Sequence, residues 1–326
     1  MQRMGGIYNA GAGIPAVSAV AASLLLLGCA GAPASGAAPD PSPRLMTPSD
    51  LQALPSRPPT LRAPYGPESS QYGELRVPRG AGPHPVAVLI HGGCFKAMYA
   101  KAQELGPVGD TLAAEGIATW NVEYRRLGEP GAGWPGTWLD IGRAVDHLRA
   151  LAAVHRLDLS RVIVIGHSAG GHLAMHAAAR ARLSPESPLH VPDPLPLRGV
   201  IDLAGPVDLA VNIPGYQSAC GDAVITQLVG GTPETVPRRY ADVSPSRLVP
   251  LGIPQVIVIG EHEGFAPKRV LEAHVRAARE AGDAVRLIVL PGMGHFELAM
   301  PNTPAWRPIA GEIRALLTPE PLIPNP

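Results

Sequence analysis

Aromatic residues make up only 4% of this 326-residue chain, while alanine, glycine and proline are abundant; that bias belongs to the source and carries no chemistry. A surplus of charge is missing as well, since 27 basic residues balance 27 acidic ones. Without a basic excess, nothing asks for nucleic acid or an acidic surface as partner. No internal repeat is evident, which excludes an array or solenoid. No HExxH pattern or further ligand cluster accompanies His172 and His176, four apart on a helical segment, so neither metal nor cofactor is expected. A long apolar run is also lacking. Ile14 to Leu27 is too short and too alanine-rich for a spanning helix and reads as the core of a signal peptide.

The end of that segment is informative. Leu26-Leu27-Gly28-Cys29, behind an apolar stretch and a single Arg3, resembles the bacterial lipoprotein signal. The resemblance implies cleavage before Cys29, a diacylglycerol on its thiol, and an exported, extracytoplasmic protein anchored to a membrane. Residues 1–28 are then the signal peptide and 29–63, rich in Pro and Ala, a tether; a folded domain is expected over 64–320 and a short tail over 321–326. The remaining cysteines, Cys94 and Cys220, both fall in loops expected near one edge of the fold. An oxidising compartment permits a Cys94–Cys220 disulfide, with two separate thiols as the alternative.

Apolar β-branched runs alternate with helical patterns. Strands are expected at Tyr72–Val77, Val86–Ile90, Ile117–Tyr124, Arg161–Ile165, Leu197–Ala204, Pro254–Ile259 and Ala284–Leu290. Helices are expected at Gln103–Glu115, Thr137–Val154, the stretch after Gly171, Pro267–Ala281 and Pro304–Leu317. The pattern predicts an α/β fold: a mostly parallel, doubly wound sheet flanked by helices, with ligands at the carboxyl ends of the strands. Gly205 to Leu251 is long for a connection and is expected to form a small cap insertion of short helices beside the site.

The chain is organised around Arg161 to Ala179, where a strand meets a helix through Gly166-His167-Ser168-Ala169-Gly170. A serine on so tight a turn needs Gly166 and Gly170 on either side, because side chains there would strike the strand and helix. Its hydroxyl stands at a helix N-terminus, where backbone N–H groups favour developing negative charge. His91-Gly92-Gly93-Cys94 follows a buried strand, and the amides of Gly93 and Cys94, with that of Ala169, form a candidate oxyanion hole. Gly260-Glu261-His262-Glu263 follows another strand and offers a carboxylate; Glu263 is the first choice and Glu261 the rival. His295, in the glycine-flanked loop Pro291-Gly292-Met293-Gly294-His295-Phe296, is the candidate base. Asp202 and Asp208 are substitute acids, and His91 and His167 are expected to pack beside the site and order its loops.

With HGGCF, GHSAGG and PGMGHF in this order, the chain from Pro64 to Leu317 resembles the α/β-hydrolase family. It is most similar to the branch holding hormone-sensitive-lipase-like carboxylesterases, arylformamidases and small prolyl-oligopeptidase-like hydrolases. The resemblance implies acyl transfer with Ser168 as nucleophile, His295 as base and Glu263 as acid. Two residues depart from the pattern: the acid is more often Asp, and Cys94 stands where many esterases have glycine. The expected function is hydrolysis of small to medium acyl esters, a small-molecule substrate. Amide cleavage by the same triad, and a tethered non-catalytic binding protein on the same fold, are the alternatives.

Overall fold

The computed structural model describes residues 44–221 and 223–318; the segment expected as a signal peptide, Cys29 with its expected lipidation, the start of the expected tether and the expected tail lie outside them. The sheet is built from β1 (Leu61–Pro64), β2 (Tyr72–Arg76), β3 (His84–Ile90), β4 (Ala118–Val122), β5 (Leu157–His167), β6 (Gly199–Leu203), β7 (Gln255–Gly260) and β8 (Val285–Leu290). Their spatial order is β1-β2-β4-β3-β5-β6-β7-β8. The β1–β2 and β2–β4 pairs are antiparallel, and every pair from β4 onward is parallel. Val86–Ile90 and Val162–Ile165 are buried on both faces, which is why both read as unbroken apolar runs instead of alternating ones.

The helices are α1 (Pro48–Gln52), α2 (Gly106–Ala114), α3 (Gly136–Asp146), α4 (Leu148–His155), α5 (Ala169–Ala179), α6 (Leu209–Cys220), α7 (Val224–Val229), α8 (Pro237–Val243), α9 (Lys268–Glu280) and α10 (Trp306–Leu317). Helix α5 is buried along its whole length; its alanines and glycines let it sit against β5, β6 and α3. The connection between β6 and β7 carries α6, α7 and α8, so the expected cap insertion is helical. No helix among the described residues is long and apolar enough to cross a membrane.

Two boundaries differ from the sequence reading. The expected tether ends before residue 64. Helix α1 starts in a Thr47/Asp50 capping box, Leu51 enters the core, Met46 N donates to Glu297 Oε1 (2.6 Å), and β1 extends the sheet on β2. A short helical turn within Met46–Leu54 is expected from the sequence and is found as α1; its attachment to the core through Leu51 leaves no periodicity and is revealed only by the tertiary contacts. The helix expected over Thr137–Val154 is broken at His147 into α3 and α4. There the indole N–H of Trp120 donates to Ala144 O (2.9 Å), a carbonyl that the next helical turn would otherwise use.

Candidate active site

Ser168 sits between the end of β5 and the start of α5 with φ 57° and ψ −122°, a left-handed conformation that only an over-determined turn holds for a residue with a side chain. The surroundings supply that constraint. Ser168 N donates to Leu203 O (2.8 Å), and Ser168 O accepts from Gly171 N (2.9 Å) and His172 N (3.2 Å). A Cβ on Gly166 would lie 1.9 Å from Gly170 O, and one on Gly170 would lie 2.1 Å from Ile90 O. Both positions therefore require glycine. The Ala169 amide belongs to the first turn of α5, where N–H groups have no acceptor within the helix.

The loop after β3 runs against this turn. A Cβ on Gly92 would stand 2.9 Å from His167 O and 3.0 Å from Ser168 Cβ. Gly93, Cys94 and Phe95 come next with φ values of 94°, 54° and 56°, a run of positive φ that lays the chain beside the serine. His91 Nε2 meets Glu123 Oε1 (2.9 Å), and the Tyr124 hydroxyl donates to His91 O (2.9 Å), so the base of the loop is pinned by the two residues that follow β4. Its far side is tied to the cap. Cys94 and Cys220 form a disulfide, and Lys96 Nζ donates to Cys220 O (2.8 Å) at the C-terminus of α6.

His295 follows β8 and is buried, with Nδ1 2.8 Å from Glu263 Oε2. Against a carboxylate, Nδ1 carries the proton and Nε2 is left as the acceptor. Glu263 Oε1 accepts from the amides of Phe265 (2.5 Å) and Ala266 (3.1 Å), which fix the carboxylate. Glu261 is exposed and accepts from Gly292 N (2.8 Å), so the geometry brings Glu263, and not Glu261, to the histidine.

The ring of His167, next to Ser168, lies 4.7 Å from that of His295, and its Nε2–H donates to His295 O (3.0 Å). Burial, followed by the positive charge His295 can carry, holds His167 down at about 3, so it stays neutral and serves as a fixed donor. Phe265 covers the other side of the His295 ring at 4.2 Å. Three loops distant in sequence thus meet at the carboxyl edge of the sheet. Among the described residues the Ser168 hydroxyl is not hydrogen-bonded to His295; the two are brought together through His167, which precedes Ser168 and whose ring donates to His295 O.

The other sequence candidates lie elsewhere. Asp202 is buried and accepts from Gly205 N (2.6 Å), its carboxyl pushed well up by burial. Asp208 caps α6 by accepting from Ala210 N (2.9 Å). Neither reaches His295. His172 donates from Nδ1 to Pro206 O (2.9 Å), and His176 packs edge-on to Trp138, both buried. No group of three or more His, Cys, Asp and Glu among the described residues is arranged to hold a metal. Sequence reasoning does not reach the Phe265 and Ala266 amides, or Tyr216 on α6, because nothing in their local pattern marks them.

A family model described as BD-FAE matches residues 75–269, more than half of the chain. The chain belongs to the BD-FAE family. The match takes in Gly93, Cys94, Ser168, Ala169 and Glu263, and ends before His295. Among curated proteins, Esterase LipC of Mycobacterium tuberculosis is 27% identical over 221 residues, covering 66% of this chain and 54% of LipC. Esterase EstD of Thermotoga maritima is 30% identical over 159 residues, 43% of this chain and 37% of EstD. The BD-FAE chain therefore spans about half the length of these relatives or less. Solved structures similar to it include a truncated carbohydrate esterase from gut microbiota (22% identity, TM-score 0.66, 79% of this chain and 95% of that one). Esterase B of Lactobacillus rhamnosis is another (21%, 0.67, 82% and 90%). At these identities the likeness establishes the α/β-hydrolase fold of the BD-FAE chain.

Proposed function

We propose that this BD-FAE protein is a serine carboxylesterase that cleaves small to medium acyl esters through an acyl-enzyme. The single observation that carries the reading is the His295–Glu263 pair, 2.8 Å apart and buried, at the same sheet edge as a serine held at positive φ. Ser168 Oγ attacks the ester carbonyl and its proton passes to His295 Nε2. Glu263 stabilises the resulting imidazolium through Nδ1–H. The carbonyl π pair moves onto oxygen, where the amides of Gly93, Cys94 and Ala169 receive it. His295 then returns the proton to the departing alcohol, and water attacks the acyl-enzyme by the same route. The short helices of the cap support small and medium acyl groups over bulk lipid. Hydrolysis of p-nitrophenyl acetate and butyrate is the test: Ser168→Ala should lose at least about 10³-fold in kcat. Parental rates in that variant would remove the assignment.

The N-terminal pattern supports anchoring through a lipid on Cys29, outside the cytoplasm. Metabolic labelling with a palmitate analogue should mark the wild type and not Cys29→Ser; label retained by that variant ends the claim.

A further inference from the structure

We propose that Tyr216, delivered from the cap helix α6, is a further catalytic residue whose phenolic O–H donates to the oxyanion formed when Ser168 adds to the ester carbonyl. The inference rests on the serine-esterase reading and adds a side-chain donor to the three backbone amides.

Four observations converge on it. Tyr216 is buried although it belongs to an insertion, and its hydroxyl stands beside that of Ser168. Its ring stacks on Phe95 at 5.8 Å with an interplanar angle of 28°, and Phe95 is the residue that ends the positive-φ run of the oxyanion loop. One helical turn further along α6, Cys220 is bonded to Cys94 of the same loop. Lys96 then closes on the Cys220 carbonyl. The helix that carries the phenol is thus joined to the loop that carries the amides by a covalent bond, an aromatic stack and a hydrogen bond. Tyr216 therefore comes to Ser168 on the helix that is bonded to the oxyanion loop, while the ring of His295 is packed between Phe265 and His167.

The chemistry fits a donor that never gives up its proton. Burial, reinforced by the negative charge that Asp202 and Glu263 can carry, pushes the phenol above its ordinary value, which favours its un-ionised, donating form. In the addition step the Oγ–C bond forms, the carbonyl π pair goes to oxygen and the serine proton goes to His295. The Tyr216 O–H bond stays intact, and the phenol donates a hydrogen bond to the new alkoxide. Such a donor, already fixed in a buried site, contributes most when the charge appears.

Tyr216→Phe removes one oxygen and keeps the ring on Phe95. We expect kcat on p-nitrophenyl acetate to fall about 100-fold, with KM within about threefold and an unchanged Tm. The rate of Ser168 labelling by a fluorophosphonate, which builds the same charge on phosphoryl oxygen, should fall in parallel. Tyr240→Phe is the control: that phenol, on α8, donates to Gly231 O (3.0 Å), and its loss should lower Tm while kcat holds. Tyr216→Phe with parental kcat and labelling rate overturns the assignment while leaving the esterase reading intact, and so does a variant that loses Tm and keeps kcat as the control does. A wild type that neither labels at Ser168 nor cleaves the ester removes both.

Discussion

Opening the Cys94–Cys220 bridge is the perturbation whose consequences can be worked furthest. The bond closes a sequence separation of 126 residues. For a loop of that length the chain-entropy relation gives about 16 cal/mol/K, or about 5 kcal/mol at 25 °C, of denatured-state freedom restored when the link is removed. A domain of this size unfolds with an entropy of about 0.6 kcal/mol/K, so Tm should fall by about 8 °C. Activity should fall as well, for a separate reason. Cys94 and Phe95 are both held at positive φ, each at a cost of about 1–3 kcal/mol, and the bridge to α6 is one of the constraints that hold them there. If one of them relaxes, the competent loop becomes the minor state and kcat/KM drops about tenfold or more. The assay is thermal unfolding and p-nitrophenyl acetate hydrolysis of Cys94→Ser/Cys220→Ser beside the oxidised and the reduced wild type. A double variant within about 2 °C of the wild type and with its full kcat/KM would refute the reasoning on both counts.

The acid can be tested by the two glutamates after β7. Glu263→Gln must still accept from the Phe265 and Ala266 amides, which turns its NH₂ toward His295 Nδ1 and leaves the proton on the wrong nitrogen; kcat should fall about 10³–10⁴-fold, while Glu261→Gln keeps it. Acid lability comes from the buried imidazoles. Burial holds His167 at about 3, His172 and His274 at about 4, and His176 well below its ordinary value. Because these values are depressed in the fold, the unfolded chain takes up protons first as pH falls below about 6.5. Stability present above that pH is therefore lost on the way down to about 3–4. Each ring contributes about 1.4 kcal/mol between pH 7.5 and 5.5, up to about 5 kcal/mol together, which urea unfolding at the two pH values measures. Asp202 acts with the opposite sign, since a raised carboxyl is favoured by acid, and a net stability that rises toward pH 5.5 would contradict the ordering of these terms.

From the sequence alone, everything that depends on near neighbours in the chain was determined. Buried strands such as Val86–Ile90 and Val162–Ile165 show as unbroken apolar runs, and Gly166 is there because a Cβ would strike Gly170 O, four residues on. Ser168, His295, Gly92 and Gly93 follow strand ends, a placement readable from strand–loop order. Only the tertiary structure decided what depends on contact between distant segments. The choice of Glu263 over Glu261 turns on which carboxylate meets the ring of His295, 32 residues further along the chain. The break at His147 turns on an indole from β4, and the inclusion of residues 44–63 on one leucine, one capping box and one edge strand. Tyr216 lies 48 residues beyond Ser168 in a helix with no distinguishing pattern. Local sterics leave a periodic trace in a sequence, whereas a hydrogen bond or stack across the fold leaves none, because any residue of the right shape at the right point in space can make it.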